Sequence, residues 1–148
     1  MGVSEKSSFD SGCFRIAVPA GWMAFFGIDS ECRLTRKKVH VFKDAKLETD
    51  IFTHAGITIC FFDRDDYYIS PKFIYDNVKD MEAFTLGNYT WSGYTCTSFD
   101  YPYTMLEAQR DGCVFQIMIL MKNGNHEISL EDEDVITILK SLEQTNQL

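Results

Sequence analysis

The sequence contains no long hydrophobic run. A helix that crosses a bilayer needs about 18 or more consecutive apolar residues, and the longest run here is Ile117 to Met121. The first ten residues are polar and lack the apolar segment of a secretory signal. We therefore expect no membrane span and a soluble, cytoplasmic protein, or an exported one if a native leader precedes this sequence.

Positive charge is also scarce. The chain has 14 lysines and arginines against 22 acidic residues, a net charge of −8. Proteins that bind DNA or RNA usually present a basic patch to the phosphates. The densest basic run comprises Arg33, Arg36, Lys37 and Lys38, which is either a site for an anion or acidic partner or a solvated strand end. We predict no nucleic-acid partner.

Paired cysteine motifs are absent. The five cysteines are Cys13, Cys32, Cys60, Cys96 and Cys113, and without a C-x-x-C pair they predict neither a zinc knuckle nor a thioredoxin-like site. Most of them lie in apolar, strand-like runs, which favours buried reduced thiols and a reducing compartment. Cys32 alone has arginines nearby, the electropositive setting that a reactive thiol needs.

Motifs for nucleotide binding and catalysis are missing as well. Neither glycine-rich phosphate loop occurs, and there is no G-x-S-x-G nucleophile elbow. His40, His54 and His126 are widely separated and have no H-E-x-x-H partner. The acidic loop 63–66 fails as an EF-hand because Tyr68 holds the position of the required glycine. We predict a non-enzyme with no catalytic residues, no metal and no cofactor.

The chain does contain enough apolar residues for one folded domain. It has 148 residues, of which 45% are hydrophobic and 14% aromatic, and this length is typical of a single domain. We predict a disordered or frayed N-terminus over 1–11, one domain over 12–143 and a polar tail over 144–148.

Alternating apolar residues predict several strands. Residues 13–18 alternate, Pro19-Ala20-Gly21 marks a turn, and residues 22–26 form a second strand, so we expect a hairpin. Gly56–Phe62 is apolar on both faces, as a central strand is. Asp111-Gly112 is a strong hairpin signal before another alternating run.

Two segments have helical periodicity. Ser70-Pro71 is a good helix start, Gly87 is a good stop, and the stripe between them comprises Ile74, Val78, Met81 and Thr85. A second stripe, Val135, Ile138, Leu139 and Leu142, follows an acidic first turn. The predicted fold class is α+β: an antiparallel sheet of about six to seven strands, covered by an internal helix over about 71–84 and a C-terminal helix over about 131–143.

Aromatic residues concentrate in one part of the chain. The cluster comprises Tyr89, Trp91, Tyr94, Phe99, Tyr101 and Tyr103, with a predicted turn at Ser92-Gly93. Aromatics are enriched at protein interfaces, although they also pack well on sheet faces. We name Trp91, Tyr94, Tyr101 and Tyr103 as candidate partner-binding residues.

These observations predict a non-enzymatic binding or accessory module. It would recognise a protein partner through an aromatic sheet face or through the groove beside the 71–84 helix. The alternative is a small-molecule binder or small enzyme, with a pocket between sheet and helix lined by polar groups that converge on Asp63, His54 or Cys32. A homodimer formed through the aromatic patch is a third possibility.

The opening pattern F-x-I-x-V-P-x-G-W has a counterpart in known proteins. Its residues, Phe14, Ile16, Val18, Pro19, Gly21 and Trp22, resemble the first hairpin of the PsbP-like and DcrB-like superfamily. That resemblance implies an antiparallel sheet flanked by helices. It also implies a binding or accessory role, and it transfers no site residues, because members of the group share no catalytic constellation.

Overall fold

A computed structural model describes residues 7–145, and within that range the chain is predominantly β. It contains twelve strands and one α-helix. The strands are β1 (Ser7–Asp10), β2 (Phe14–Val18), β3 (Trp22–Ile28), β4 (Leu34–Lys43), β5 (Gly56–Phe62), β6 (Asp76–Leu86), β7 (Tyr89–Ser98), β8 (Tyr101–Arg110), β9 (Cys113–Leu120), β10 (Lys122–Asn123), β11 (His126–Glu127) and β12 (Glu143–Gln144). The helix is α1 (Glu133–Ser141), and two 3-10 turns span Glu48–Phe52 and Pro71–Ile74.

Seven strands form one antiparallel sheet in the order β3-β4-β5-β9-β8-β7-β6. A smaller sheet has the order β1-β2-β12, and β10 pairs only with β11. The predicted α+β class is therefore wrong. The large sheet is covered by a second sheet and one helix, not by two helices.

The main core lies between the inner face of the large sheet and the layer formed by β2 and α1. Phe14 is fully buried, and its ring meets that of Phe115 edge-on at 5.5 Å. The helix contributes Val135, Ile138 and Leu139, all of them fully buried. Trp22 Nε1 donates a hydrogen bond of 3.0 Å to Asp134 Oδ2, which ties β3 to the helix.

The C-terminal helix forms where its apolar stripe predicts it, at Glu133–Ser141 inside the predicted range 131–143. Its N-cap is Asp132, and two further carboxylates lie in the first turn, where the helix dipole favours negative charge. Within residues 7–145, no helix has the length and apolar character required to cross a bilayer.

The predicted helix over 71–84 is wrong. Ser70-Pro71 opens only a single 3-10 turn, and the chain then extends as β6, the edge strand of the large sheet. Most β6 side chains are exposed, so burial does not impose a period of two. Two register shifts in its pairing with β7 disturb the alternation further. Gly87, read as a helix stop, lies in the tight β6–β7 turn with a φ of +66°.

The predicted hairpin of residues 13–18 with 22–26 is also wrong in its pairing. The turn exists, because the Trp22 amide donates to the Pro19 carbonyl at 3.1 Å. The two strands nevertheless enter different sheets: β2 pairs with β1 and β12, whereas β3 pairs with β4. The turn therefore carries the chain from one layer of the core to the other.

Ser92-Gly93 is not a turn but lies within β7. A Cβ at Gly93 would lie 2.7 Å from the Met105 carbonyl oxygen and 2.7 Å from Leu106 Cδ2. Glycine is needed here for the close approach of β8, which is a recognised use of glycine inside a strand.

The chain ends contribute strands. Ser7–Asp10, within the N-terminus expected to be disordered or frayed, pairs with β2. Glu143–Gln144, at the boundary between the expected domain and its polar tail, pairs with the other edge of β2. Residues 1–6 and 146–148 lie outside the described range. The division into one domain over 12–143 stays a prediction.

Two loops partly cover the outer face of the large sheet. In the 44–55 loop, Ala45 packs with Phe42 and Leu120. In the 63–75 loop, Tyr68 stacks at a tilt on Phe62 with ring centroids 4.7 Å apart. The second loop borders strands β6, β7 and β8 on this face through Ser70 and Lys72.

The β7–β8 connection has an unusual residue at its tip. Ser98 pairs with Tyr101, so the loop consists of Phe99 and Asp100, whose φ values are +51° and +70°. This two-residue turn with both φ positive strongly prefers Asn-Gly. A left-handed conformation costs an ordinary residue about 1–2 kcal/mol, and Phe99 is also 92% exposed.

We expect Phe99→Asn to raise the free energy of unfolding by about 0.5–1 kcal/mol, because asparagine tolerates positive φ. Chemical denaturation measures this directly. Phe52→Asn is the matched control: Phe52 is exposed but is not among the residues with positive φ, so its replacement should bring no gain. Equal effects of the two changes would contradict the strain argument.

Candidate functional site

The four candidate partner-binding residues occupy three different environments. Trp91 is 0% exposed and Tyr94 is 3% exposed, whereas Tyr101 is 43% exposed and Tyr103 is half-buried. A partner can reach Tyr101 without rearrangement of the chain, but Trp91 and Tyr94 are covered. The partner-binding role of the set stays a prediction.

Trp91 and Tyr94 also face opposite sides of the sheet. Trp91 belongs to the main core on the inner face, with its ring centroid 5.8 Å from that of Tyr89. Tyr94 belongs to an outer-face cluster with Cys96 and Met105. Because side chains alternate along a strand, their odd spacing in sequence could have indicated this division.

Four exposed apolar side chains lie on two segments at one end of the sheet, the 73–74 segment that precedes β6 and the turn from β7 into β8. They are Phe73, Ile74, Phe99 and Tyr101, and we refer to these four as the hairpin-end surface. Phe73 is 79% exposed, and Ile74 lies two residues before Asp76, which pairs with Thr97 near the β7–β8 turn. Large exposed apolar groups of this kind often mark an interaction site.

Sequence reasoning missed Phe73 and Ile74 because it assigned them to a helix with a buried stripe. The 3-10 turn Pro71–Ile74 buries none of its residues. The β-branched residues Ile74 and Val78 after Pro71 favour an extended strand over a helix. The spacing of the apolar residues alone does not distinguish a helix from an exposed strand.

Acidic residues outnumber basic ones near the hairpin-end surface, although β6 also carries the exposed Lys79. Asp76, Asp80 and Glu82 are exposed along β6, and Asp100 follows Phe99 in the turn. Lys72, on the 71–74 turn, forms an ion pair with Asp80. Charges and register shifts on an edge strand discourage pairing with a strand of another chain, so we expect recognition through side chains.

A pocket of about 290 Å³ adjoins this surface, between the 70–72 segment and strands β6, β7 and β8. Its lining includes Ser70, Lys72, Asp80, Tyr94 and Glu107, and we call it the Glu107 pocket. The Glu107 Oε2 atom accepts hydrogen bonds from the Tyr68 hydroxyl at 2.6 Å and from the Ser70 hydroxyl at 2.5 Å. These bonds fasten the 63–75 loop to β8.

Burial changes the acidity of the two tyrosines. Loss of solvent raises the pKa of Tyr68 above its usual value, and its hydrogen bond to Glu107 raises that pKa further. Burial, and secondarily the Glu107 charge, also raises the pKa of Tyr94. Both phenols therefore remain protonated at neutral pH. The Tyr94 hydroxyl lies near Ser70 but has no hydrogen bond of normal geometry within residues 7–145.

The polar residues considered for catalysis or metal binding do not come together as a site. Lys37 binds both Asp63 at 3.1 Å and Asp66 at 2.7 Å, so the acidic loop forms a local ion-pair network. His54 stacks on His126 with ring centroids 3.9 Å apart. Within residues 7–145, no three His, Cys, Asp or Glu side chains are arranged to hold a metal ion.

The five cysteines are free thiols. Cys60, Cys96 and Cys113 are buried, Cys13 is half-buried, and Cys32 is exposed with a φ of +63°. Burial raises the pKa of Cys60 and Cys96 above the usual value for a thiol. Those two thiols are therefore poor nucleophiles.

Comparison with known proteins gives a likeness in fold. No protein-family model matches the chain, and no curated protein matches it. A crystal structure from Bacteroides thetaiotaomicron VPI-5482, determined at 1.50 Å, is similar with a TM-score of 0.53 and 12% sequence identity. The match covers 95% of this chain and 48% of the other, so this chain spans about half the length of that protein.

At 12% identity, this likeness supports the fold alone. It says nothing about the PsbP-like and DcrB-like resemblance, which stays a prediction resting on the residues 14–22.

Proposed function

We propose that this chain is a non-enzymatic binding module that recognises a protein partner through the hairpin-end surface. Of the four residues predicted from sequence, Tyr101 belongs to this surface, and Phe73, Ile74 and Phe99 complete it. The partner we propose presents apolar residues flanked by basic ones, because the hairpin-end surface is apolar and most charged residues near it are acidic.

Phe99 is the observation that carries the proposal. Its phenyl ring is 92% exposed, and its backbone occupies a left-handed conformation that disfavours a bulky side chain. Both features lower the stability of the isolated chain. Strained residues of this kind concentrate at functional sites, and an exposed aromatic side chain is a common binding anchor.

Charge favours a protein partner over a membrane or a nucleic acid. The net charge is −8, so anionic lipid surfaces and phosphate backbones are repelled. The same charge opposes self-association, which makes a second copy of this chain a less favourable occupant than a basic partner.

The small-molecule alternative places its pocket between sheet and helix. The helix residues that face the sheet are the apolar Val135, Ile138 and Leu139, each fully buried. His54, Asp63 and Cys32 lie in separate environments: His54 stacks on His126, Asp63 pairs with Lys37, and Cys32 is exposed. No observation favours this alternative over the binding module.

We expect Phe99→Ser and Phe73→Ser to weaken capture of a specific partner by tenfold or more, because loss of an aromatic anchor typically costs about 2 kcal/mol or more. The purified full chain serves as bait in extract from its source cells. A captured protein is then purified, and its affinity for the wild type and each variant is measured by calorimetry.

Phe52→Ser is the matched control, since Phe52 is 74% exposed but lies outside the hairpin-end surface. It should leave the affinity unchanged. Equal binding by the wild type and the two surface variants would refute the proposal. A solution mass of two chains that returns to one in Phe99→Ser would replace it with a homodimer.

A further inference from the structure

We infer that the Glu107 pocket receives a cationic side chain of the partner, a lysine or an arginine, next to the apolar contact at the hairpin-end surface. This inference rests on the proposed function. It adds the chemistry of a second contact, and its test uses probes that do not depend on the apolar surface.

Glu107 lines the pocket and keeps one carboxylate oxygen available as an acceptor. Glu107 Oε2 already accepts two hydrogen bonds, from Tyr68 and Ser70. Within residues 7–145, no hydrogen bond or ion pair reaches Glu107 Oε1. Asp80 lines the same pocket, so two carboxylates face one lysine there, and the pocket has a net negative charge.

Tyr94 supplies the second observation. It is 3% exposed and lines the pocket, and its hydroxyl lies near Ser70 but makes no hydrogen bond of normal geometry within the described part of the chain. A buried polar group without a partner costs about 1–3 kcal/mol, and most such groups in proteins are satisfied. A ligand that donates a hydrogen bond to this oxygen would remove the penalty.

An ammonium or guanidinium group matches this set of atoms because it only donates hydrogen bonds. Glu107 Oε1, Asp80 and the Tyr94 hydroxyl can each accept from it. Charge-assisted bonds to carboxylates are about twice as strong as neutral ones. A ligand anion would instead meet two carboxylates at close range.

Lys72 demonstrates that a cation fits at the mouth of the pocket. Its Nζ lies 5.5 Å from the centre of the Tyr94 ring and pairs with Asp80. Both partners of this pair are substantially exposed, and exposed pairs contribute little to stability. Lys72 can therefore move aside, and an incoming cation would take over its interactions with Asp80 and the ring.

The Glu107 pocket and the hairpin-end surface include residues that are adjacent in sequence. Lys72 and Phe73 are neighbours on the 71–74 turn, and Ser70 of the same segment donates to Glu107. A partner segment with a basic residue beside an apolar one can contact both places. This arrangement would make binding specific for the partner's sequence, since a basic or an apolar partner residue alone would make only one of the two contacts.

The test uses n-butylguanidinium and n-butylammonium as probes, with the neutral n-butylurea as the isosteric control. Amide chemical shifts of the full-length chain report binding residue by residue. We expect saturable shifts around Ser70, Tyr94 and Glu107 with one or both cations and none with the urea. The stronger cation indicates whether arginine or lysine is the natural group.

Variants separate a binding role from a structural one. Glu107→Gln should weaken cation binding by at least tenfold, and Tyr94→Phe should weaken it while leaving the melting temperature unchanged or higher. Lys72→Gln should strengthen binding, because the competing cation is gone. Glu82→Gln, which makes the same charge change on exposed β6 outside the pocket, should have no effect.

Equal shifts with n-butylurea, equal effects of the Glu107 and Glu82 variants, or the absence of any saturable shift would overturn the inference. Phe99→Ser should not alter binding of these small cations. A failure of the pocket thus remains distinguishable from a failure of the hairpin-end surface.

Discussion

Trp91→Ala should lower the free energy of unfolding by about 3–5 kcal/mol, which is the usual cost of removing a large aromatic side chain from a core. Trp91 is fully buried between the two layers, beside Tyr89. Its removal leaves a cavity that rigid neighbouring strands cannot fill. Urea denaturation of the purified variant measures the loss as a lower midpoint.

Tyr101→Ala provides the comparison. Tyr101 is 43% exposed, and surface substitutions usually change stability by no more than about 0.5 kcal/mol. Trp91→Phe should lose less than Trp91→Ala, because it keeps a ring and removes an indole N–H that has no hydrogen-bond partner in the described range. If Trp91→Ala were no more damaging than Tyr101→Ala, Trp91 would not be part of the core.

Acidification from pH 7 to pH 4 should cost the wild type about 3 kcal/mol of stability through His40 alone. Burial, and to a smaller extent the nearby Lys38 charge, lower the pKa of His40 to about 4, against 6.5 for an unperturbed histidine. Since one pH unit corresponds to about 1.4 kcal/mol, the gap between the two values sets the size of the effect.

The direction of the pH effect on stability depends on whether the folded or the unfolded chain binds the proton at His40. Between pH 6.5 and pH 4 the unfolded chain is protonated at His40 and the folded chain is not, so falling pH favours unfolding. The stability from this residue is complete above about pH 6.5 and is lost by about pH 4. Below about pH 4, both the folded and the unfolded chain carry the proton, so His40 causes no further loss of stability.

Two variants isolate the histidine from the carboxylates that titrate in the same range. His40→Phe keeps the aromatic packing against Phe25 and Phe42, and His40→Gln can keep the hydrogen bond to the Thr58 hydroxyl. Both should reduce the loss of stability between pH 7 and pH 4 by a similar amount. Curves parallel to that of the wild type would contradict the predicted titration.

The parts of the fold that sequence predicted well are those specified by a local pattern of apolar residues or by the backbone preferences of adjacent residues. Gly56–Phe62 is apolar on both faces and is β5, which lies inside the large sheet between β4 and β9. The hairpin at Asp111-Gly112 forms because both residues accept positive φ, +54° and +84°. In α1, the stripe of Val135, Ile138 and Leu139 has the helical period of a buried face.

The candidate site was predicted less well, because exposure depends on neighbours far away in sequence. Trp91 and Tyr101 are both aromatic residues of adjacent strands, yet one is fully buried and the other is accessible. Trp91 faces the core that β2 and α1 cover, whereas Tyr101 begins β8 beside the β7–β8 turn. The Glu107 pocket was not predicted at all, since it joins Ser70 and Glu107 across 37 residues.

The sequence by itself determined the central strands, the tight turn at Asp111-Gly112 and the C-terminal helix, because each depends on local periodicity or on backbone preferences of adjacent residues. Only the tertiary structure decided that 76–86 is an edge strand instead of a helix, and that β2 leaves β3 to join another sheet. The hydrogen bonds between strands join residues that are remote in the chain. An exposed edge strand also lacks the apolar alternation from which a strand is predicted.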